Sequence, residues 1–206
     1  MPYILKKILL ILIILLIISC QEKTTEIRFY PTYPVSPQDS IEKMDLDKSN
    51  MDFKDLTNWI SKNQYHDTRS IIEFKDGGIL KKIIPYVRGN GLIKERSILS
   101  ITSDSILIDD GYPISALKWV LKRHYTNNGK DFRYPDSPER AGVEITLDTN
   151  KTAYVLKQCL INLTRIFDEV NSEVKDTLQL RFIFDYFRQI PPPPPPPIPN
   201  EIQSVE

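Results

Sequence analysis

The chain has 206 residues, with 27 Lys and Arg against 27 Asp and Glu, so its formal net charge at pH 7 is +0. Balanced charge gives no electrostatic case for nucleic acid, and this length suits one compact domain with tails better than two full domains. Its two cysteines, Cys20 and Cys159, form no Cys-x-x-Cys pair, and neither His66 nor His124 has a His-Glu spacing for metal, so no metal and no cofactor is expected.

At the amino end, Lys6 and Lys7 precede an unbroken apolar run from Ile8 to Ile18, followed by Ser19-Cys20. As a helix that run would extend about 16 Å, against roughly 30 Å of bilayer hydrocarbon. A basic start, a short apolar stretch and a small residue before the processing point read as a secretory signal covering residues 1–19. The tetrad Ile17-Ile18-Ser19-Cys20 resembles the lipobox of bacterial lipoproteins, which implies cleavage before Cys20 and acylation of that residue. Acyl chains on Cys20 would then fasten the protein to a membrane, since each buried methylene contributes about 0.8 kcal/mol. Gln21 after the cysteine resembles lipoproteins sorted to the outer membrane, facing the periplasm. With Lys6 and Lys7 removed, 25 basic against 27 acidic residues leave a mature charge near −2. Cys159 would be the only remaining thiol, so no intramolecular disulfide is expected.

Residues 20–50 carry Thr, Ser, Asp, Lys and the prolines Pro31, Pro34 and Pro37, the composition of a flexible tether. A single domain is expected over 51–190. Phe53, Leu56, Trp59 and Ile60 share one face of a helix over Asp52–Asn63, with Trp59 packed inward. Ser70 to Phe74 reads as a strand, Asp76-Gly77-Gly78 as a turn, and Ile79 to Val87 as a second strand whose Pro85 favours an edge or a strand end. Gly89-Asn90-Gly91 signals another turn. The runs Ile98–Thr102 and Ser105–Ile108 suggest a hairpin, although no glycine supports its turn.

Beyond Asp109-Asp110-Gly111 the period changes to that of a helix through Ile114, Leu117, Leu121 and Tyr125. A polar loop over Asn127–Gly142 follows, then a strand over Val143–Leu147. Asp148-Thr149-Asn150 offers caps for a helix over Lys151–Asn171, in which Cys159 is a small core residue. Leu178 to Ile190 is too apolar to stay exposed and is expected to form a final helix or to cover a sheet edge. Seven prolines, Pro191 to Pro197, then impose a stiff polyproline rod on the tail over 191–206, a spacer or a ligand for an aromatic groove. The fold class expected is α+β, a small sheet with two or three helices packed on one face.

No Gly-x-Ser-x-Gly elbow or Walker loop is present, so hydrolase and nucleotide readings lack a starting point, and no enzyme is expected. One competing reading keeps an enzyme, with Asp109, Asp110, Asp148 and His124 around a cleft. Another makes the chain a passive structural lipoprotein.

The segment Ser97–Asn171 resembles the periplasmic domain of ExbD/TolR biopolymer-transport proteins. A hairpin (Ile98-Leu99-Ser100-Ile101, then Ile106-Leu107-Ile108), a helix after Pro113, a Pro-containing loop (Tyr134 to Glu139) and a strand ending at Asp148 before Thr152-Ala153-Tyr154 carry the likeness. In that family the strand ending in Asp leads to a helix with an early Tyr, which makes Asp148 and Tyr154 the candidate partner-binding residues. Family members also carry a transmembrane aspartate for proton coupling, whereas Ile8–Ile18 contains no Asp, Glu, His or Lys. The resemblance therefore implies self-association, as a homodimer, and binding to an envelope protein, without the energy-converting part.

Overall fold

The computed structural model describes residues 26–32, 36, 38–88, 94–174 and 177–186. Cys20, the signal at 1–19, Gly89-Asn90-Gly91 and the proline run lie outside the described residues. Among the described residues, two sheets and three α-helices share one apolar core, so the protein is α+β, with two sheets where the sequence suggested one.

The first sheet has the order β1-β4-β3-β2. β1 (Glu26–Tyr30) runs parallel to β4 (Ile79–Ile83), β2 (Ser40–Asp45) runs parallel to β3 (Thr68–Asp76), and β3 and β4 form an antiparallel hairpin. The hairpin closes at Asp76-Gly77-Gly78, where Gly77 has φ +61°, a value that glycine adopts without steric cost. Both outer strands fall in the stretch expected to be a tether. Their own composition does not announce them, because an edge strand needs only one anchored end. Tyr30 supplies that anchor for β1, buried edge-on against Phe167, and Leu46 is buried just past β2.

Between β2 and β3 runs α1 (Phe53–Tyr65), where Phe53, Leu56, Thr57 and Ile60 form the buried face. Its N-cap is Asp52, whose carboxylate accepts the Asp55 N–H at 2.8 Å. Trp59 is half-buried as expected, and its indole N–H donates to Glu42 at 3.1 Å.

The chain then passes from β4 through Ile84 directly into β5 (Pro85–Val87), which belongs to the second sheet. That sheet has the order β5-β10-β9-β6-β7-β8. β5, β10 (Phe182–Phe184), β9 (Gly142–Ile145) and β6 (Ile98–Ile101) are mutually parallel neighbours; β7 (Ser105–Ile106) and β8 (Tyr112–Pro113) continue as an antiparallel meander. Pro85 does lie on an edge strand. The exposed edge at Val87 is closed by Gln64, whose amide accepts the Val87 N–H at 3.1 Å and donates to its carbonyl at 3.2 Å.

The β6–β7 hairpin forms without glycine because side chains close its turn. Thr102 and Ser105 both donate to Asp104 Oδ1, at 2.8 and 2.9 Å, while the Thr102 N–H bonds to the Ser105 carbonyl at 2.8 Å. After a short 3₁₀ turn comes α2 (Leu117–Thr126), burying Leu117, Val120, Leu121, His124 and Tyr125. α3 (Ala153–Glu173) buries Leu156, Leu160, Leu163, Phe167 and Val170. Within the described part of the segment expected to be a terminal helix or edge cover, Phe182–Phe184 instead form β10, inserted between β5 and β9. A short run that is buried on both faces has no period to distinguish strand from helix.

Candidate functional site at the β9–α3 junction

β9 delivers the chain to Thr146, whose hydroxyl donates to the Asp185 carbonyl at 3.0 Å and fixes the strand end. Asp148 follows and α3 begins at Ala153. This entry is held from across the molecule. The start of α1 lies antiparallel to it: the Phe53 N–H bonds to the Lys151 carbonyl at 2.7 Å, and the Ala153 N–H bonds to the Met51 carbonyl at 3.1 Å. Each helix thus satisfies one unpaired donor at its own first turn with the other's approach strand.

On this rigid junction both sequence-predicted residues point outward. The Asp148 side chain is 67% exposed and pairs with Lys151 at 3.6 Å. Tyr154, on the first turn of α3, is 68% exposed. Beside Asp148 a groove of about 370 Å³ opens between the β6–β7 turn and the junction, lined by Thr102, Asp104, Ser105, Leu107, Asp148 and Lys151. The Thr102 hydroxyl, and after it that of Ser105, hold the Asp104 carboxyl below its ordinary range. In the sequence Thr102 and Ser105 read as strand ends, Asp104 as part of the break between them and Lys151 as a helix start; nothing in their spacing announces a groove.

The other sequence candidates do not meet there. His124 is buried on α2 with Nε2 3.2 Å from the Gly142 carbonyl, at the opposite end of β9 from Asp148. Because a carbonyl only accepts, Nε2 carries the proton, and burial draws the imidazole down to about 4. Asp109, at φ +52°, accepts from Arg133 at 2.9 Å, from the Tyr134 hydroxyl at 3.1 Å and from the Tyr112 hydroxyl at 3.2 Å. Arg123 lies over the Tyr134 ring, 4.3 Å from its centroid, and pairs with Asp131 at 3.0 Å. Asp109 is therefore an anchor for the long 127–142 loop, and Asp110 is exposed beside it. Burial raises the thiol of Cys159 above its ordinary range, as befits a residue packed against the core.

Among the described residues, no group of three or more His, Cys, Asp or Glu side chains is placed to hold a metal ion, and no helix is long and apolar enough to cross a membrane. No family model matches the chain, and neither a curated protein nor a solved structure is significantly similar to it.

Proposed function

We propose that the chain is an envelope lipoprotein, anchored through acyl chains on Cys20, whose α+β body binds a protein partner at the β9–α3 junction. The observation that carries the docking face is Tyr154, a large aromatic side chain left 68% exposed on a backbone pinned by two helix entries. Tyrosine presented rigidly loses little conformational entropy on binding and is enriched among residues that dominate protein interfaces. Asp148, its side chain 67% exposed at the same junction, adds a charge. The resemblance of Ser97–Asn171 to ExbD/TolR periplasmic domains supports an envelope partner and a scaffolding role linked to biopolymer transport.

A photocrosslinking residue at position 154 of the full chain tests this in living cells, with position 65 as control because Tyr65 is 85% exposed elsewhere. The expected result is one envelope protein captured from 154 and absent from 65. Identical capture profiles at the two positions would discard the docking face. Fatty-acid labelling that is lost in Cys20→Ala, with accumulation of the unprocessed precursor, checks the anchor; undiminished labelling of that variant rejects it.

A further inference from the structure

The second sheet contains a crevice that the docking reading does not use. From β6 the chain leaves toward β7 on one side, and from β9 it leaves through α3 toward β10 on the other. β6 and β9 are parallel neighbours, so their carboxyl ends bound a gap from which both connections depart. The β6–β7 turn and the loop from β9 into α3 stand on either side of that gap as the walls of a cleft. The groove beside Asp148 opens there, with Thr102 from the end of β6 and Thr146 from the end of β9 in its lining.

A second cavity of about 170 Å³ adjoins it under α3, sharing Thr102 and Ser103. Its other walls are Ile101, Ile114, Leu117, Val155 and Cys159, with Gln158 and Asn162 of α3 as polar members of a mainly apolar lining. An apolar cavity of about 150 Å³ accommodates benzene, so this one has room for a phenyl ring or a branched alkyl group. The groove carries two carboxylates, Asp104 and Asp148, against one ammonium, Lys151, an excess of one negative charge. Both hydroxyls that fix Asp104 converge on Oδ1, which leaves Oδ2 for a ligand's N–H.

We infer that this crevice binds a small organic cation bearing an apolar group of about phenyl size, the ring under α3 and the charged nitrogen at Asp104. The site is separate from the proposed partner face and shares only Asp148 with it, so either can fail without the other.

Cys159 lines the apolar end and reports occupancy directly. The rate of its alkylation by iodoacetamide, read by peptide mass spectrometry on the full-length chain, would be followed against ω-phenylalkylammonium ions of increasing tether length. One member of the series should protect Cys159 saturably. The matching phenylalkanol, or the substitution Asp104→Asn, should raise the half-protection concentration about fivefold, the worth of one exposed ion pair. Because Asp104 sits on an exposed turn, that variant keeps the fold, and an unchanged circular dichroism spectrum confirms it. Absence of saturable protection, or equal protection by the alcohol, overturns the proposal. So does protection by the uncharged acetyl-Phe-Ala-amide where every amine fails, which would assign the crevice to a polypeptide chain.

Discussion

The two sheets are joined to α3 by different physics. The second sheet presents Leu99, Ile101, Val143, Ile145, Phe182 and Phe184 to the core, an apolar face in one cluster with Leu156, Leu160 and Leu163 of α3. The first sheet adds charge to its own apolar face of Ile72, Phe74 and Ile83. Lys81, only 1% exposed, pairs with Asp76 at 2.8 Å and donates to the Thr164 hydroxyl at 2.8 Å, while Arg165 clasps the same carboxylate. One turn further along the helix, Asp168 accepts from Arg28 at 2.7 Å and from the Tyr30 hydroxyl at 2.8 Å. Apolar packing is tolerant of small shifts, whereas a buried ion network fails outright when one member is lost.

The sharpest way to break this contrast is Asp76→Asn, which strands Lys81 in the interior. It should cost about 3–5 kcal/mol in chemical denaturation, more than a conservative trim such as Ile145→Val in the second sheet at about 1 kcal/mol. Equal losses would erase the distinction. The Arg165 and Lys81 contacts hold the Asp76 carboxyl down at about 2, below its ordinary value, so this contribution is full above pH 4 and disappears only as pH falls toward 2.

His124 supplies the corresponding pH test for the second sheet. Its folded value of about 4 lies below the ordinary 6.5, so the unfolded chain binds the extra proton in that window. Stability should therefore fall as pH drops from 6.5 to 4, by roughly 3 kcal/mol, and His124→Gln should flatten that slope. A slope that survives the substitution would place the titration elsewhere.

Tyr30→Phe keeps the ring against Phe167 and removes one hydrogen bond to a charged group, for an expected loss of about 1.5–3 kcal/mol. Smallest of the set, Gln64→Ala uncovers the Val87 peptide at the edge of the second sheet and should cost about 1 kcal/mol. Its more telling readout is faster amide exchange at Val87, and exchange that stays slow would mean that another group guards the edge.

The same contrast explains what could be read in advance. α1, α2 and α3 announced themselves through apolar positions at helical spacing, and β3, β4, β6 and β9 through short branched runs between turn signals. β1 and β2 did not, because the contacts that fix β1 join Arg28 and Tyr30 to a residue about 140 positions away, and local composition is silent on such a pairing. β8 spans two residues, too few to show a period. At the candidate site, Asp148 and Tyr154 came from a family likeness and are brought to one junction, while the groove beside them depends on a parallel pairing of β6 with β9 that no local pattern encodes.

One continuous stretch serves both sheets, β4 as one half and β5 as the other, with Ile84 as the single residue between them and its N–H bonded to the Tyr30 carbonyl at 3.0 Å. Loosening either half drags on the other through one covalent link, so neither layer can melt privately. Calorimetry should accordingly record a solitary heat-absorption peak, and a substitution placed in one layer should slide the whole peak instead of splitting it.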